Sequence, residues 1–446
     1  MHARFDDLRP GRIRSFVLGG HHSTLIATHD AEVLDVLAKA EAEVRDGRWV
    51  AGWVSYEAAP AFGDDFKVKQ TAKTPFAELP LAWFAVFDQR VPVAETSESP
   101  YEIGEWESTV DAGDYHAGVK EVRARIEAGD TYQVNLTFRM HADFEGDEAS
   151  FYQDLINSQR GGYGAFLDAG RWVVLSASPE LFFDWQDGRV LSKPMKGTAP
   201  RGRDLVEDLE SSRRLRASDK ERAENVMIVD MVRNDLGRIA QVGSVEVSSL
   251  FEREKYDTVW QLTSTVTAEP RADATLADVF GAMFPPASIT GAPKVSTMGI
   301  ITEIEAGPRG VYCGAIGFGG PGTSGEPHWV FNVGIRTVLV DRKSSAAWYG
   351  TGGGITYSSE ASDEYAEAVL KARVLGRHSS DFSLIETIRW SPSAGFHELD
   401  RHIDRLLSSA RYFDIPVEEA DVKTALHEGV AQQNRISRVT LLVARD

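Results

Sequence analysis

Cysteine is nearly missing from this 446-residue chain: Cys313 is the only one. A disulfide within the chain is therefore excluded, as is a zinc site built from several thiolates. Long hydrophobic runs are missing too. No apolar stretch reaches the ~20 residues that a membrane-spanning helix requires, which argues against a membrane as partner. Positive charge is in deficit. Lys and Arg number 48 against 67 Asp and Glu, leaving a net charge of −19. Nucleic acid and anionic lipid both demand a basic face, so neither is expected as the main partner. The opening stretch MHARFDDLRPGRIR mixes both signs and has no apolar core, so it does not read as a secretory signal. What is present is ordinary globular material, 42% hydrophobic and 26% charged. At ~150 residues per domain the length suggests about three domains, and the expected setting is the cytoplasm.

Three textures divide the chain. Residues 1–92 combine strand-like runs, WVAGWVSY (49–56) and LAWFAVF (81–87), with a helical stretch at 31–46. Residues 93–109, acidic and Ser-rich, read as a linker. Residues 110–376 open with an amphipathic helix over Tyr115–Ala128. Strand-like runs follow at 131–139, 164–168, 172–176 and 181–185, then helical stretches at 219–236 and 275–284. Further strands at 310–318, 328–340 and 346–350 precede a helix at 361–375. Runs of strands between helices, without strict alternation, predict an α+β fold. After RHSSDFS (377–383) the texture changes again. A strand over 384–390 and a periodic helix over 399–415 begin a short C-terminal segment, 383–446. A segment of that size makes a marginal core unless it packs on something else.

Several familiar motifs fail on inspection. GFGGPG (317–322) fits G-x-G-x-x-G, but Pro321 interrupts it and another strand follows, so a hairpin is expected. GAPKVST (291–297) lacks the phosphate-loop spacing. H-E-x-x-H and G-x-S-x-G do not occur.

Other residues carry more. On the 219–236 helix, Glu224 shares a face with Met227, Ile228 and Met231. An unpaired carboxylate on an apolar face costs several kcal/mol unless a cation, a metal or a proton neutralises it. Glu367 shares a face with Leu370, Lys371 and Val374. Two readings stand for it: a surface pair with Lys371 worth ~0.3–0.5 kcal/mol, or a core-facing carboxylate that joins Glu224 in holding a hard divalent ion such as Mg²⁺. In SASPELFFDWQDGRVLSKPMKGTAPRG (176–202), Glu180 precedes an apolar run and Lys196 adjoins Gly197 and Thr198. A lysine in a dry pocket has a lowered pKa and can act as nucleophile; a carboxyl there has a raised pKa and can act as acid. Spacing alone favours a solvated loop lysine. TGGGIT (351–356) offers bare backbone N–H groups at Gly352, Gly353 and Gly354, for an anion or for a tight turn. Arg336 lies in an apolar run and needs an anionic partner. Together these suggest a small, multiply anionic substrate.

The ordered series PMKGTAPRG, AENVMIVDMVRNDLGR, FPPASITGAPKVSTMGIITEIE, RGVYCGAIGF, FNVGIRT and GTGGGITYSSEASDEYAEAVLKA resembles the chorismate-utilising enzymes. That family includes anthranilate synthase component I, aminodeoxychorismate synthase component I, and the isochorismate and salicylate synthases. The resemblance is dense from about 110 to 376, weaker over 1–92, and implies layered antiparallel sheets surrounded by helices. It implies that Glu224 and Glu367 hold Mg²⁺ and that Glu180 is the general acid for the departing C4 hydroxyl. Arg336, Lys371, Tyr312 and Gly352–Gly354 would grip the carboxylates and enolpyruvyl group, with Thr290, Gly291 and Ala292 as pocket wall.

Two positions choose a branch. Gln133 stands where water-using members carry a lysine base, which favours ammonia as nucleophile. Lys196, in Pro-Met-Lys-Gly-Thr, is similar to the lysine of the aminodeoxychorismate synthases, which add it covalently to the ring; anthranilate synthases have a small residue there. The resemblance thus implies a transferase that aminates chorismate for 4-aminobenzoate and folate synthesis. Anthranilate synthase component I, or a chorismate-binding relative without turnover, are the alternatives. Gln261 replaces a histidine found in many relatives, and the Leu-Leu-Glu-Ser sequence of tryptophan-inhibited relatives is not evident. Cys313 reads as lying inside a strand, unsuited to a glutaminase, so ammonia is expected from a separate glutamine amidotransferase subunit or from solution. The tail, LIETIRW through ELDRHIDRLLSSARYFDIP, resembles the start of aminodeoxychorismate lyase, a pyridoxal-phosphate enzyme. It carries a single lysine, Lys423, too early to match that family's Schiff-base lysine, so no productive pyridoxal phosphate site is expected.

Overall fold

The computed structural model describes residues 1–9, 14–94, 99–376 and 382–444. Residues 95–98 of the linker stretch and 377–381 of the junction after Gly376 lie outside the described residues.

Antiparallel pairing runs through almost the whole front of the molecule. Starting from strand Glu246–Lys255, each strand bonds to the next: Val259–Ala268, Arg189–Lys193, Leu181–Gln186, Pro327–Val333, Ala315–Pro321, Trp49–Val54, Ala82–Pro92, Arg14–Ala27, His2–Asp7, Tyr163–Asp168, Trp172–Ser178, Thr337–Asp341, Ala346–Ile355 and Gln133–Gly146. Met195–Pro200 pairs with Val259–Ala268 beside Arg189–Lys193. Residues from both ends of this ribbon line one cavity, so it curls back on itself. The N-terminal residues belong to the same ladder as the rest, through His2–Asp7 and Trp49–Val54.

Helices cover the ribbon. Asp30–Arg45, Asp219–Gly237 and Leu276–Met283 enclose the largest apolar cluster, which includes Phe183, Phe280, Phe284 and Phe331. Full burial of such a ring contributes roughly 1.5–3 kcal/mol. Asp219–Gly237 begins at Ser218, whose hydroxyl accepts from the Glu221 amide. Ile228, Val229, Val232 and Leu236 then point into the core at helical spacing. Among the described residues, no helix is long and apolar enough to cross a membrane.

Some expectations change. The run 328–340 is two strands, broken where Arg336 takes a left-handed φ of 49°. The run 310–318 becomes a strand only from Ala315; Cys313 lies before it in a turn, at φ 64°. The glycines of TGGGIT form no turn, because the strand Ala346–Ile355 runs through them. The linker stretch is stitched to the ladder: Tyr101–Ile103 and Glu107–Ser108 both pair with Gln133–Gly146. Helices at Glu148–Gln159, Leu205–Ala217 and Lys294–Ile304 went unread; their apolar faces are short and mixed with polar residues.

The C-terminal segment is a three-stranded sheet, Leu384–Ser391 between Gly395–Phe396 and Ser437–Val443, covered by helices Leu399–Phe413 and Glu419–Val430. Its own core gathers Ile388, Ile403, Leu406 and Leu426.

Candidate active site

Two helices and two ends of the strand ribbon face each other across a cavity of about 210 Å³. Strand Met195–Pro200 brings Lys196, Gly197 and Thr198. Helix Asp219–Gly237 brings Glu221 and Glu224, and helix Ala361–Ala372 brings Glu364, Glu367 and Lys371. The strand Ala346–Ile355 supplies Gly352, Gly353 and Gly354; Glu180, Tyr312, Arg336 and Gln261 complete the wall.

Lys196 is a loop lysine by spacing but not by environment. Burial holds its amine below the ordinary lysine value, Lys371 adds to the lowering, and Glu224, Glu180 and Glu367 oppose it. A neutral, nucleophilic amine is thereby more accessible. Glycine at position 354 leaves room for the amine where it stands: a Cβ there would come 2.4 Å from Lys196 Nζ, which would have to shift.

Glu180 is 4% exposed. Burial pushes it up to about 7, against the Ser288 hydroxyl, the Met195 amide and the Lys196 charge. It is thus a carboxyl able to carry a proton near neutral pH.

Arg336 is broken out of its strand by its left-handed backbone and turned to the cavity. Its Nη1 donates to the Gln159 side-chain oxygen. No carboxylate lies within ion-pair distance of it among the described residues, although burial lowers its pKa. A guanidinium held this way is suited to a carboxylate brought by a ligand. The Tyr312 ring lies flat on the strand at Gly350, where a Cβ would come within 2.2 Å of it. Its other neighbour is Arg139, 4.8 Å from the ring centroid.

Glu224 lies on the cavity side of its helix, beside Met227 and Ile228. It makes no ion pair with a described residue. Glu367 does: Lys371 Nζ sits 2.8 Å from it and also donates to the Gly352 carbonyl at 3.0 Å. Of the two readings for Glu367, the surface pair with Lys371 is present. The Glu367 side chain is 51% exposed and Leu370 is exposed, because the helix end forms the cavity mouth. The surface ion pair and the cavity position coexist. Among the described residues, no three His, Cys, Asp or Glu side chains cluster as a ready-made metal cage.

Thr290, Gly291 and Ala292, expected as pocket wall, do not line the cavity directly. Those three stand behind the lining, where Ser288 and Ile289 take their place. Thr290 donates to the Pro286 carbonyl at 3.0 Å, and Gly291 and Ala292 pair with Val134 and Gln133. Gln133 is fully buried, and neither end of its amide has a partner among the described residues.

Glu221 and Glu364 were missed. Each precedes a singled-out glutamate by three residues, in ERAE (221–224) and EYAE (364–367). Repetition of Glu-x-x-Glu on two helices was the available signal. Burial raises both, and neighbouring carboxylates raise them further.

Cys313 is fully buried, and burial pushes its thiol up to about 11. Lys423 is exposed on its helix and paired with Glu419 at 2.6 Å.

Comparison with known proteins agrees with this geometry. The family model for chorismate binding enzyme matches residues 91–377, and that for amino-transferase class IV matches 383–446. Aminodeoxychorismate synthase component 1 of Klebsiella aerogenes is 39% identical over 292 residues, 64% of this chain and 61% of that one. Aminodeoxychorismate synthase of Streptomyces griseus is 45% identical over 253 residues, 56% of this chain and 34% of that one. The chain thus spans less than two thirds of the length of these relatives. The crystal structure of anthranilate synthase component I from Streptococcus pneumoniae TIGR4 superposes with a TM-score of 0.69, at 24% identity, over 84% of this chain and 92% of the other. The α+β fold is therefore that of anthranilate synthase component I, and the chain belongs to the chorismate binding enzyme family.

Proposed function

We propose that this chorismate binding enzyme is the aminating component of an aminodeoxychorismate synthase, which turns chorismate and ammonia into 4-amino-4-deoxychorismate and water. The observation that carries the reading is a lysine amine of lowered basicity, Lys196, sharing one cavity with a carboxyl pushed up to about 7, Glu180. The similarity to aminodeoxychorismate synthases supports the same choice of reaction. The product would serve 4-aminobenzoate and folate synthesis in the cytoplasm.

In this reading Arg336, Lys371, Tyr312 and the N–H groups of Gly352 and Gly354, which face away from the neighbouring strand, orient the substrate, with Gly353 between them paired to Leu136. Lys196 Nζ bonds to ring C2 as the C4–O bond breaks and the ring double bonds shift. The protonated Glu180 delivers its proton to the leaving oxygen, which departs as water. Ammonia then bonds to C4, the double bonds shift back, and the C2–N bond breaks to release Lys196. The enolpyruvyl group stays on the ring and no pyruvate is lost. Gln133 cannot act as a base, which suits a nucleophile that needs no activation.

Mg²⁺ fits the donor set. Glu224 makes no ion pair with a described residue, and burial, together with the charges of Glu224 and Glu367, raises Glu221 from its ordinary value. Glu224 and Glu367 would hold the ion, with oxygens of water and substrate completing its shell. When bound it supplies positive charge opposite a substrate carboxylate. Ammonia would come from a glutamine amidotransferase partner, a reading supported by the name component 1 of the Klebsiella aerogenes relative; the buried, weakly acidic Cys313 is itself unsuited to nucleophilic attack.

The test is to incubate the purified chain with chorismate, Mg²⁺ and ammonium and to weigh the product. 4-Amino-4-deoxychorismate is expected; anthranilate as sole product would overturn the reading.

A further inference from the structure

Lys196 sits where its strand is not held by the ladder. Met195 pairs with Thr263 and Thr198 with Gln261, so the register shifts across Lys196 and Gly197. Gly197 takes a left-handed φ of 99°. Locally, the Asn225 amide steadies the Lys196 carbonyl at 3.3 Å. The pairs at Met195 and Thr198 flank it on either side.

At the strand's C-terminal end stands Arg201, with a side chain 8% exposed. Its Nε donates to Asp208 Oδ1 at 2.6 Å, Nη1 to the Tyr256 carbonyl at 2.8 Å and Nη2 to the Tyr412 carbonyl at 3.0 Å. The guanidinium also lies 4.6 Å from the Tyr412 ring centroid. In return, the Tyr412 hydroxyl donates to the Gly202 carbonyl at 2.6 Å. Residues 201 and 202 thus exchange hydrogen bonds in both directions with one tyrosine of the C-terminal segment. Asp208 Oδ1 closes the turn by accepting from the Gly202 amide and from Trp260 Nε1. Trp260 precedes Gln261, whose side-chain oxygen accepts from Thr198 at the cavity wall.

A second contact runs beside the first. Lys255 Nζ donates to Asp414 Oδ1 at 2.7 Å and to the Arg411 carbonyl at 2.9 Å. The next residue, Tyr256, donates its hydroxyl to Glu254 at 2.8 Å, and the same oxygen lies 3.3 Å from the carbonyl of Pro179, immediately before Glu180.

We infer that Arg201 is a positioning residue through which the docked C-terminal segment fixes the bulged strand carrying Lys196. The inference rests on the reading of Lys196 as nucleophile, and it makes the front domain's turnover depend on a segment outside the cavity. The physical reason is reach. The amine hangs on four rotatable bonds from a backbone that the ladder skips, and a displacement of about 1 Å at a reacting atom costs about 10²-fold in rate.

The experiment uses the full chain with Tyr412→Ala and Asp414→Ala combined, which leaves Arg201 and Lys196 untouched. Backbone hydrogen exchange at 196–202 and chorismate turnover with ammonium are both measured. Exchange at 196–202 is expected to speed up, and kcat to fall about tenfold while the chorismate KM changes less than about threefold. Tyr412→Phe keeps the ring and the carbonyl acceptor and is expected to stay within about twofold of the parent. Faster exchange at 399–414 with unchanged exchange at 196–202 and unchanged kcat would overturn the inference. So would no change anywhere, since these contacts would then not hold the segment. If the parent chain aminates nothing, the proposed activity fails, and the exchange measurement still decides whether the segment braces the strand.

Discussion

Gly354 and Lys196 share a space that only one of them can fill. They come from strands at opposite ends of the ribbon, and a Cβ on Gly354 would stand 2.4 Å from the lysine Nζ and 2.7 Å from Gln133 Nε2. The backbone at 354 is not left-handed, so glycine there leaves room for the amine and serves no turn.

Gly354→Ala should therefore leave the fold intact and displace the amine. Turnover is expected to fall by about 10²-fold, the scale of a small misplacement at a reacting atom, with an unchanged melting temperature. Full activity in this variant would mean that the amine works from elsewhere.

Lys196→Ala should remove any mass adduct formed on mixing the chain with chorismate and reduce amination to background. An adduct that survives the substitution would identify a different nucleophile.

Glu180 sets the pH dependence. Because burial pushes it up to about 7, it is protonated below that pH and ionised above it. Donation requires the protonated form, so kcat should decline as pH rises through about 7. In Glu180→Gln that limb should vanish and the rate should drop about 10²–10⁴-fold. A decline at the same pH in the variant would assign it to another group.

Magnesium should stabilise the chain by mass action. At a hundred times its dissociation constant a ligand adds about 2.7 kcal/mol, so thermal unfolding should shift upward with Mg²⁺ in the parent. In Glu224→Gln the shift should shrink or disappear, and a chelator should stop turnover in the parent. An equal shift in both proteins would place the ion elsewhere.

The individual chemistry of the site was visible in the sequence. Glu224 with Met227 and Ile228 marked a carboxylate on a half-buried face because helical spacing is fixed by 3.6 residues per turn. Lys196, Glu180 and Arg336 stood beside apolar or glycine-rich runs, and the family motifs occurred in order. Even the missed Glu221 and Glu364 were written as Glu-x-x-Glu.

Other features could not be read in that way. Arg336 lines the cavity from a residue with left-handed backbone between two strands, a conformation that a bulky residue rarely adopts. Glu367 lies at a rim because of where its helix ends, and Thr290–Ala292 fall behind the lining because Ser288 and Ile289 come first.

Local sequence thus determined which side chains could bind anions, carry protons or attack a ring, since residue type and period depend on near neighbours. Only the tertiary structure decided that they meet. Residues 180, 196, 336 and 354 are brought together by a ribbon whose strand order is far from chain order, and a helix packed on it adds residue 224. The same long-range packing set the lysine's basicity and pressed Tyr412 against Arg201, because desolvation depends on what surrounds a group in space, whatever its distance along the chain.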